Sequence, residues 1–206
     1  MLKNRSDAGK KLAVKLQQYK NSNAMVLALP RGGVVVGHEV ARLLGLPLDI
    51  VVVRKVGHPQ NPEYAICATD EKGIFLCNEA ETKLVNQDWL NEEIERQRKE
   101  AERRIRVYRG EKEPFQIKNK VAIIIDDGIA TGLTMRLAIK AVREQKPNRI
   151  IVAVPVAPPG IVHELKREVD EIIMLEPPED FMGAVGAHYQ EFEQVEDDTV
   201  VRLLQS

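Results

Sequence analysis

The fold is decided by Val121-Ala122-Ile123-Ile124-Ile125-Asp126-Asp127-Gly128-Ile129-Ala130-Thr131-Gly132-Leu133-Thr134-Met135. Its first five residues are apolar and mostly β-branched, which reads as a strand buried on both faces, as in a parallel sheet. Two adjacent carboxylates follow, and after a short turn a Thr-Gly-x-Thr segment opens a helix. A helix entry offers backbone N–H groups without intrahelical partners, a positive dipole end and here two hydroxyls, which suits a phosphate monoester. The carboxylates cannot share that phosphate, because like charges repel. They suit sugar hydroxyls, or a cation that bridges to the ligand. A phosphate and a polyol held side by side describe a sugar phosphate. The simpler alternative is an Asp-Asp turn that merely caps the helix, although a cap needs only one Asp or Thr.

Outward from this segment, short apolar runs alternate with helical patterns. Strands are predicted at Met25 to Leu29, Ile50 to Val53, Val121 to Ile125, Ile150 to Val154 and Glu171 to Leu175. Helices follow the first, third and fourth, over Val34 to Leu44, Leu133 to Gln145 and Gly160 to Glu168. A first helix over Asp7 to Tyr19, capped by Ser6 or Asp7, carries Leu12, Leu16 and Tyr19 at helical spacing, and a last helix covers Asp197 to Leu204. The expectation is an α/β protein with a parallel five-stranded sheet flanked by helices.

In such a sheet ligands bind outside the carboxyl ends of the strands, so the loops there form one candidate site. Pro30-Arg31-Gly32-Gly33 lets backbone approach an anion that a guanidinium neutralises, though Arg-Gly-Gly is also an ordinary turn. Arg54-Lys55-Val56-Gly57-His58-Pro59 puts two cations at the end of a buried strand, where a ligand phosphate or a protein carboxylate is expected nearby. His58 belongs to this loop and is a candidate ligand contact, whereas His38 and His163 read as helix-surface residues. The remaining loops are Val156-Ala157-Pro158-Pro159-Gly160 and Glu176-Pro177-Pro178-Glu179-Asp180-Phe181.

Two stretches break the alternation, both before the third core strand. Tyr64 to Cys67 and Gly73 to Leu76 read as a β-hairpin added antiparallel to the main sheet, with Cys67 and Cys77 positioned to face each other across it. In a reducing compartment they would stay thiols. Asp88 to Tyr108 reads as a long charged helix with Leu90, Ile94, Ala101, Ile105 and Tyr108 on one stripe. The pairs Glu92/Arg96, Glu95/Lys99 and Glu100/Arg104 add about 0.2 to 0.5 kcal/mol each. This helix is either solvated and packed by its stripe, or a dimer contact or lid.

Composition narrows the function classes. The 206 residues carry 30 Lys and Arg against 31 Asp and Glu, with a net charge of −1 and a pI near 6.5. That balance argues against a nucleic-acid partner, and the basic segment Arg96 to Arg109 is interleaved with glutamates. At 44% hydrophobic residues the chain is not a disordered polymer, and its length suits one domain. Two cysteines are too few for a disulfide scaffold or a four-cysteine zinc site, and His38, His58, His163 and His188 lack metal-ligand spacing. The charged start Met1-Leu2-Lys3-Asn4-Arg5-Ser6-Asp7 and the lack of a long apolar run predict a cytoplasmic protein with no membrane partner. There is no Gly-x-x-x-x-Gly-Lys-Ser/Thr phosphate loop, dinucleotide fingerprint or nucleophile elbow.

The segment Val121 to Met135 resembles the ribose-phosphate signature of type I phosphoribosyltransferases, and weaker likeness runs from Leu29-Pro30-Arg31-Gly32-Gly33 through Val53-Arg54-Lys55 to Pro155. The resemblance implies one domain over residues 1–206 with that family's fold. Residues 57–110 would be a loop, hairpin and long-helix insertion, and 176–206 a candidate C-terminal hood. It implies transfer of the 5-phosphoribosyl group of 5-phosphoribosyl-1-pyrophosphate (PRPP) to a nucleobase or similar nitrogenous acceptor, with pyrophosphate released, as in nucleotide salvage. Asp126 and Asp127 would bind the ribose hydroxyls. Ala130, Thr131, Gly132, Leu133 and Thr134 would cradle the 5′-phosphate, and Arg31, Gly32, Gly33, Arg54 and Lys55 would face the pyrophosphate. Asp126, Asp127 and Lys55 would be the catalytic set. Mg²⁺ would be held through substrate and water oxygens with no direct protein ligand required, Asp126 and Asp127 being the candidates for one.

By the same resemblance, Val56 to Tyr64 would close over the reaction centre. Ala130 stands where enzymes acting on 6-oxopurines commonly carry Asp, which points toward adenine and pyrimidine-type members. Phe181, Tyr189 and Phe192 either line a base-recognising hood or pack the last helix. Rival readings are a PRPP-sensing regulator without turnover and a phosphatase using Asp126 and Asp127 as metal ligands. A homo-oligomer remains open.

Overall fold

The computed structural model describes residues 1–114 and 116–205. Five strands, β1 (Ala24–Ala28), β2 (Leu48–Ile50), β6 (Val121–Ile125), β7 (Arg149–Val154) and β8 (Glu171–Met174), form a parallel sheet in the order β2-β1-β6-β7-β8. Their apolar runs are continuous because alternate residues serve two cores. Val26, Ile123, Ile125 and Ile151 pack under α1 (Arg5–Lys15) and α2 (Gly32–Leu44). Met25, Leu27, Ile124 and Val152 pack under α5 (Leu133–Glu144) and α6 (Pro159–Leu165).

The expected second strand is divided. Leu48 to Ile50 pairs with Val26 to Ala28, the chain leaves the sheet at Val51 and Val52, and Val53 begins β3 (Val53–His58) in a second sheet. Ile50 to Val53 are all β-branched, so nothing in the run marks where one sheet ends. The hairpin likewise does not extend the parallel sheet. β3 pairs antiparallel with β4 (Asn61–Asp70), which pairs antiparallel with β5 (Phe75–Cys77). A short helix, α3 (Glu79–Thr82), then leads toward α4 (Gln87–Arg109). The antiparallel layer packs on the α5 core through Val53, Ala65 and Ala68, and on α4 through Val56, Ile66 and Leu90. Cys67 and Cys77 are direct cross-strand partners with Cα atoms 4.0 Å apart, and they are joined in a disulfide rather than left as thiols. The β4–β5 register brings the two sulfurs within bonding reach.

Smaller corrections follow from local geometry. α1 begins at Arg5, and its cap is Asn4, whose Oδ1 accepts from the Asp7 amide at 3.0 Å. Apolar spacing cannot choose among adjacent residues that all have capping chemistry. On α4, Leu90, Ala101 and Tyr108 are buried, and the helix packs on β3, β4 and α7 (Asp197–Gln205). Arg96 pairs with Glu93 rather than Glu92, while Glu95/Lys99 and Glu100/Arg104 form as spaced.

β1 has β2 on one side and β6 on the other, so the strand order reverses there. Outside the carboxyl ends of β1 and β6 lies the crevice where open α/β sheets bind ligands. Pro30 to Gly33 and Asp126 to Thr134 are its two rims.

Candidate functional site

A cleft of about 540 Å³ opens at this crevice. Asp126 to Gly132 and Thr134 line one side, Lys55 and Ala65 reach in from the antiparallel layer, and Gly183 to Gly186 with Phe192 close it from the C-terminal segment. Gly132 is the N-cap of α5 at φ 80°, where a Cβ would be strained and would also lie 2.7 Å from Ile161 Cγ2. Gly132 has no side chain to cap that first turn, and among the described residues no other side chain does so. Thr131 and Thr134 are therefore not spent on capping, and the helix start is open to an anion.

The two carboxylates sit in different surroundings. Asp126 Oδ1 accepts from the Asp127 amide at 2.8 Å, and burial, together with the Asp127 charge beside it, pushes the Asp126 carboxyl well above the usual range. Asp127 Oδ2 receives Arg5 Nε at 2.6 Å, with 11% of the arginine side chain and 16% of the aspartate exposed. The Asp127 carbonyl accepts from the Tyr189 hydroxyl at 2.7 Å, and burial pushes that hydroxyl up, which keeps it a donor. The first-loop glycines lie against the pair. A Cβ on Gly32 would overlap the Asp127 carboxylate, and one on Gly33 would lie 2.9 Å from Asp126 Oδ1 and from the Ile125 carbonyl.

Asp126, Asp127, Lys55, Ala130, Thr131, Gly132 and Thr134 thus share one cleft, with Gly32 and Gly33 behind the acid pair and Leu133 buried in the helix start. Two predicted residues do not line it. Arg31 turns to Glu196 and Asp197, at 3.4 and 3.6 Å. Arg54 donates to Gln97 on α4 at 3.0 Å, and burial pulls its guanidinium below the usual arginine range. His58 lies near the tip of the β3–β4 hairpin, its Nδ1 accepting from the Gln60 amide at 3.2 Å. Most of Val56 to Tyr64 is strand, leaving only Pro59 and Gln60 as the turn. Phe192 lines the cleft, Tyr189 stacks beneath it at 4.9 Å, and Phe181 stacks on His188 at 5.3 Å. The apolar face of α7 packs instead on Val34, Ala101 and Tyr108.

Sequence reasoning missed Arg5 and Val185. An arginine in the first turn of a helix carries no mark of its partner, and Val185 is placed by its seat against Gly128. A larger cleft, about 610 Å³, runs along the edge strand β2 beside Tyr108 and Leu204. It is away from the strand ends, and its Asp49 and Arg109 are paired at 3.0 Å. Four more arginines of α4 are tied to acids, Arg96 to Glu93, Arg98 to Glu95 and Glu102, and Arg103 and Arg104 to Glu100.

An open parallel sheet with a glycine-capped helix start and an acid pair at its switch point defines an α/β protein with a polar cleft at the carboxyl ends of its strands. Residues 2–191 match the phosphoribosyl transferase domain family, and the chain belongs to that family. It is 39% identical over 202 residues to a protein of Mycobacterium tuberculosis, strains CDC 1551 and H37Rv, named "Putative phosphoribosyl transferase". That match covers 97% of this chain but 45% of the relative, so the chain spans less than half the length of the curated relatives it matches. The crystal structure of TT1426 from Thermus thermophilus is similar over 99% of this chain and 97% of that one, with 41% identity and a TM-score of 0.79. Among the described residues, no helix is long and apolar enough to cross a membrane.

Proposed function

We propose that the chain transfers the 5-phosphoribosyl group of PRPP to a nitrogenous acceptor and releases pyrophosphate. The observation that carries this reading is the Asp126–Asp127 pair beside the glycine-capped start of α5, with Lys55 in the same cleft. The amides of that first turn and the Thr131 and Thr134 hydroxyls bind the 5′-phosphate, and the acid pair takes the ribose hydroxyls. Lys55 and the Gly32–Gly33 backbone meet the pyrophosphate. Breaking the anomeric C–O bond leaves oxocarbenium character on the ribose and negative charge on the pyrophosphate, so Lys55 and the fixed backbone dipoles stabilise the departing group. The chemistry asks for no protein nucleophile.

Among the described residues, no three carboxylate, imidazole or thiol groups gather as a metal site. The donors present fit a Mg²⁺ carried by the substrate's own oxygens, with Asp126 and Asp127 as its protein neighbours. Such an ion would neutralise pyrophosphate charge. The acceptor lies between Lys55 and Ala65 on one wall and Val185 and Phe192 on the other, so Gly183 to Phe192 act as the hood, while α7 packs elsewhere. Ala130 puts no carboxylate into the cleft, which supports an adenine or pyrimidine-type acceptor in cytoplasmic nucleotide salvage.

Calorimetric titration with PRPP, with and without Mg²⁺, tests this reading. Mg²⁺-dependent binding, followed by pyrophosphate release on adding a base, is the expected result. Binding with no release for any base would favour a PRPP sensor, and no binding would end the reading.

A further inference from the structure

Three contacts converge on Arg5. Its Nε donates to Asp127 Oδ2 at 2.6 Å, its Nη1 donates to the Glu193 carbonyl at 2.6 Å, and its guanidinium carbon lies 3.8 Å from the centre of the Phe192 ring. The surrounding chain holds the arginine in place. Leu2 N donates to the His188 carbonyl at 2.8 Å, Gln190 N to the Leu2 carbonyl at 2.9 Å and Glu191 N to the Lys3 carbonyl at 3.0 Å. Asn4 then caps the helix that Arg5 begins. Arg5 does not line the cleft, whereas Asp127 and Phe192 both do.

We propose that Arg5 is a positioning residue of the ribose site. One guanidinium sets both the carboxylate that meets the sugar and the aromatic wall beside it, which makes the N-terminal segment part of the sugar-phosphate site. This rests on the PRPP reading above. A planar fork with five donors serves a carboxylate edge, a carbonyl and a ring face at once. Lysine, a point charge without a plane, keeps the charge and loses the fork and the stacking. Without either cation, Asp127 loses the donor that fixes its Oδ2, and its carboxylate turns away from the geometry that fits the sugar hydroxyls.

The test is calorimetric titration with PRPP and Mg²⁺ on the wild type, Arg5→Ala, Arg5→Lys, Asp127→Asn and the Arg5→Ala/Asp127→Asn double variant, with the thermal midpoint of each. Arg5→Ala is expected to weaken binding about tenfold or more, and Arg5→Lys to recover part of it. In the Asp127→Asn background, Arg5→Ala should add less than about threefold, because the pair acts as a unit. An Arg5→Ala protein with a lowered thermal midpoint and unchanged affinity overturns the proposal, and so does full additivity of the two losses. If Arg5→Ala does not fold, wild-type affinity in Arg5→Lys overturns it and weakened affinity at an unchanged midpoint supports it. A wild type that binds no PRPP removes the sugar-phosphate reading and this proposal with it, a failure visible before any variant is compared.

Discussion

The two sheets are built from similar β-branched residues and are held in different ways. β6 is buried over its last four residues, with helices on both faces of its sheet and parallel neighbours on both edges. The antiparallel layer is thinner. β5 has three residues, none of them fully buried, and a disulfide ties it to β4. The cleft draws on both. Its acid pair and helix start hang from the deeply buried sheet, whereas Lys55 and Ala65 come from the lighter one. The half proposed to hold the sugar phosphate therefore hangs from a sheet covered on both faces, and the half facing it from a layer whose edge strand β5 is only partly buried.

Ile124 and Ile66, both fully buried, break or sharpen that contrast. Ile124→Ala should cost about 3 to 5 kcal/mol in urea unfolding, and Ile66→Ala about 2 to 3 kcal/mol. Hydrogen exchange on the Ile66→Ala protein should show β3 to β5 losing protection while β6 keeps it. Equal losses, with β6 opening at the same time, would mean that the two sheets form a single cooperative unit.

The disulfide gives the next largest effect. It closes a sequence separation of 10 residues, so reduction should destabilise the antiparallel layer by about 2 to 3 kcal/mol on the loop-entropy account. Faster exchange confined to β4 and β5 after adding reductant is the expected result. Unchanged exchange would assign the order of this layer to its packing on α4 and α5.

The same contrast explains what could be read in advance. Val121 to Thr134 was legible because strand, acid pair and helix start are local: burial on both faces writes a continuous apolar run, and the glycine cap writes the turn. The lighter layer was not. Ile50 to Val53 changes sheets without a change in residue character, and the hairpin packs on α4 and α5, elements outside it. The same holds for individual side chains. Arg31 and Arg54 were read from their place at strand ends, but their guanidiniums are captured by Glu196, Asp197 and Gln97, partners that no local pattern announces. Arg5 reaches Asp127 across 122 positions.

Within the cleft, Asp127→Asn should weaken PRPP binding at least tenfold, about 1.4 kcal/mol, with the fold intact. Replacing Thr131 and Thr134 by Val should reduce affinity more than stability, because neither caps α5. Unfolding at a lower temperature with normal binding would return both threonines to a structural role and leave the helix start without its proposed ligand.

The smallest effect concerns the ion pairs along α4, the helix that covers the lighter layer. Glu100 accepts from Arg103 and Arg104 at 2.7 and 2.8 Å, and these bonds, the Arg103 bond foremost, hold its carboxyl down to about 2. A carboxylate depressed in the folded state contributes stability that is fully present above its unfolded value and is lost as pH falls through the folded one. The window here runs from 4.5 down to about 2. With 30% of the Glu100 side chain and 47% of Arg103 exposed, solvent screens the interaction to about 0.5 to 1 kcal/mol. Urea unfolding of wild type and Glu100→Gln should therefore differ by that amount at pH 6, and the gap should close as pH approaches 2. A gap that stays constant with pH would assign the Glu100 contribution to packing.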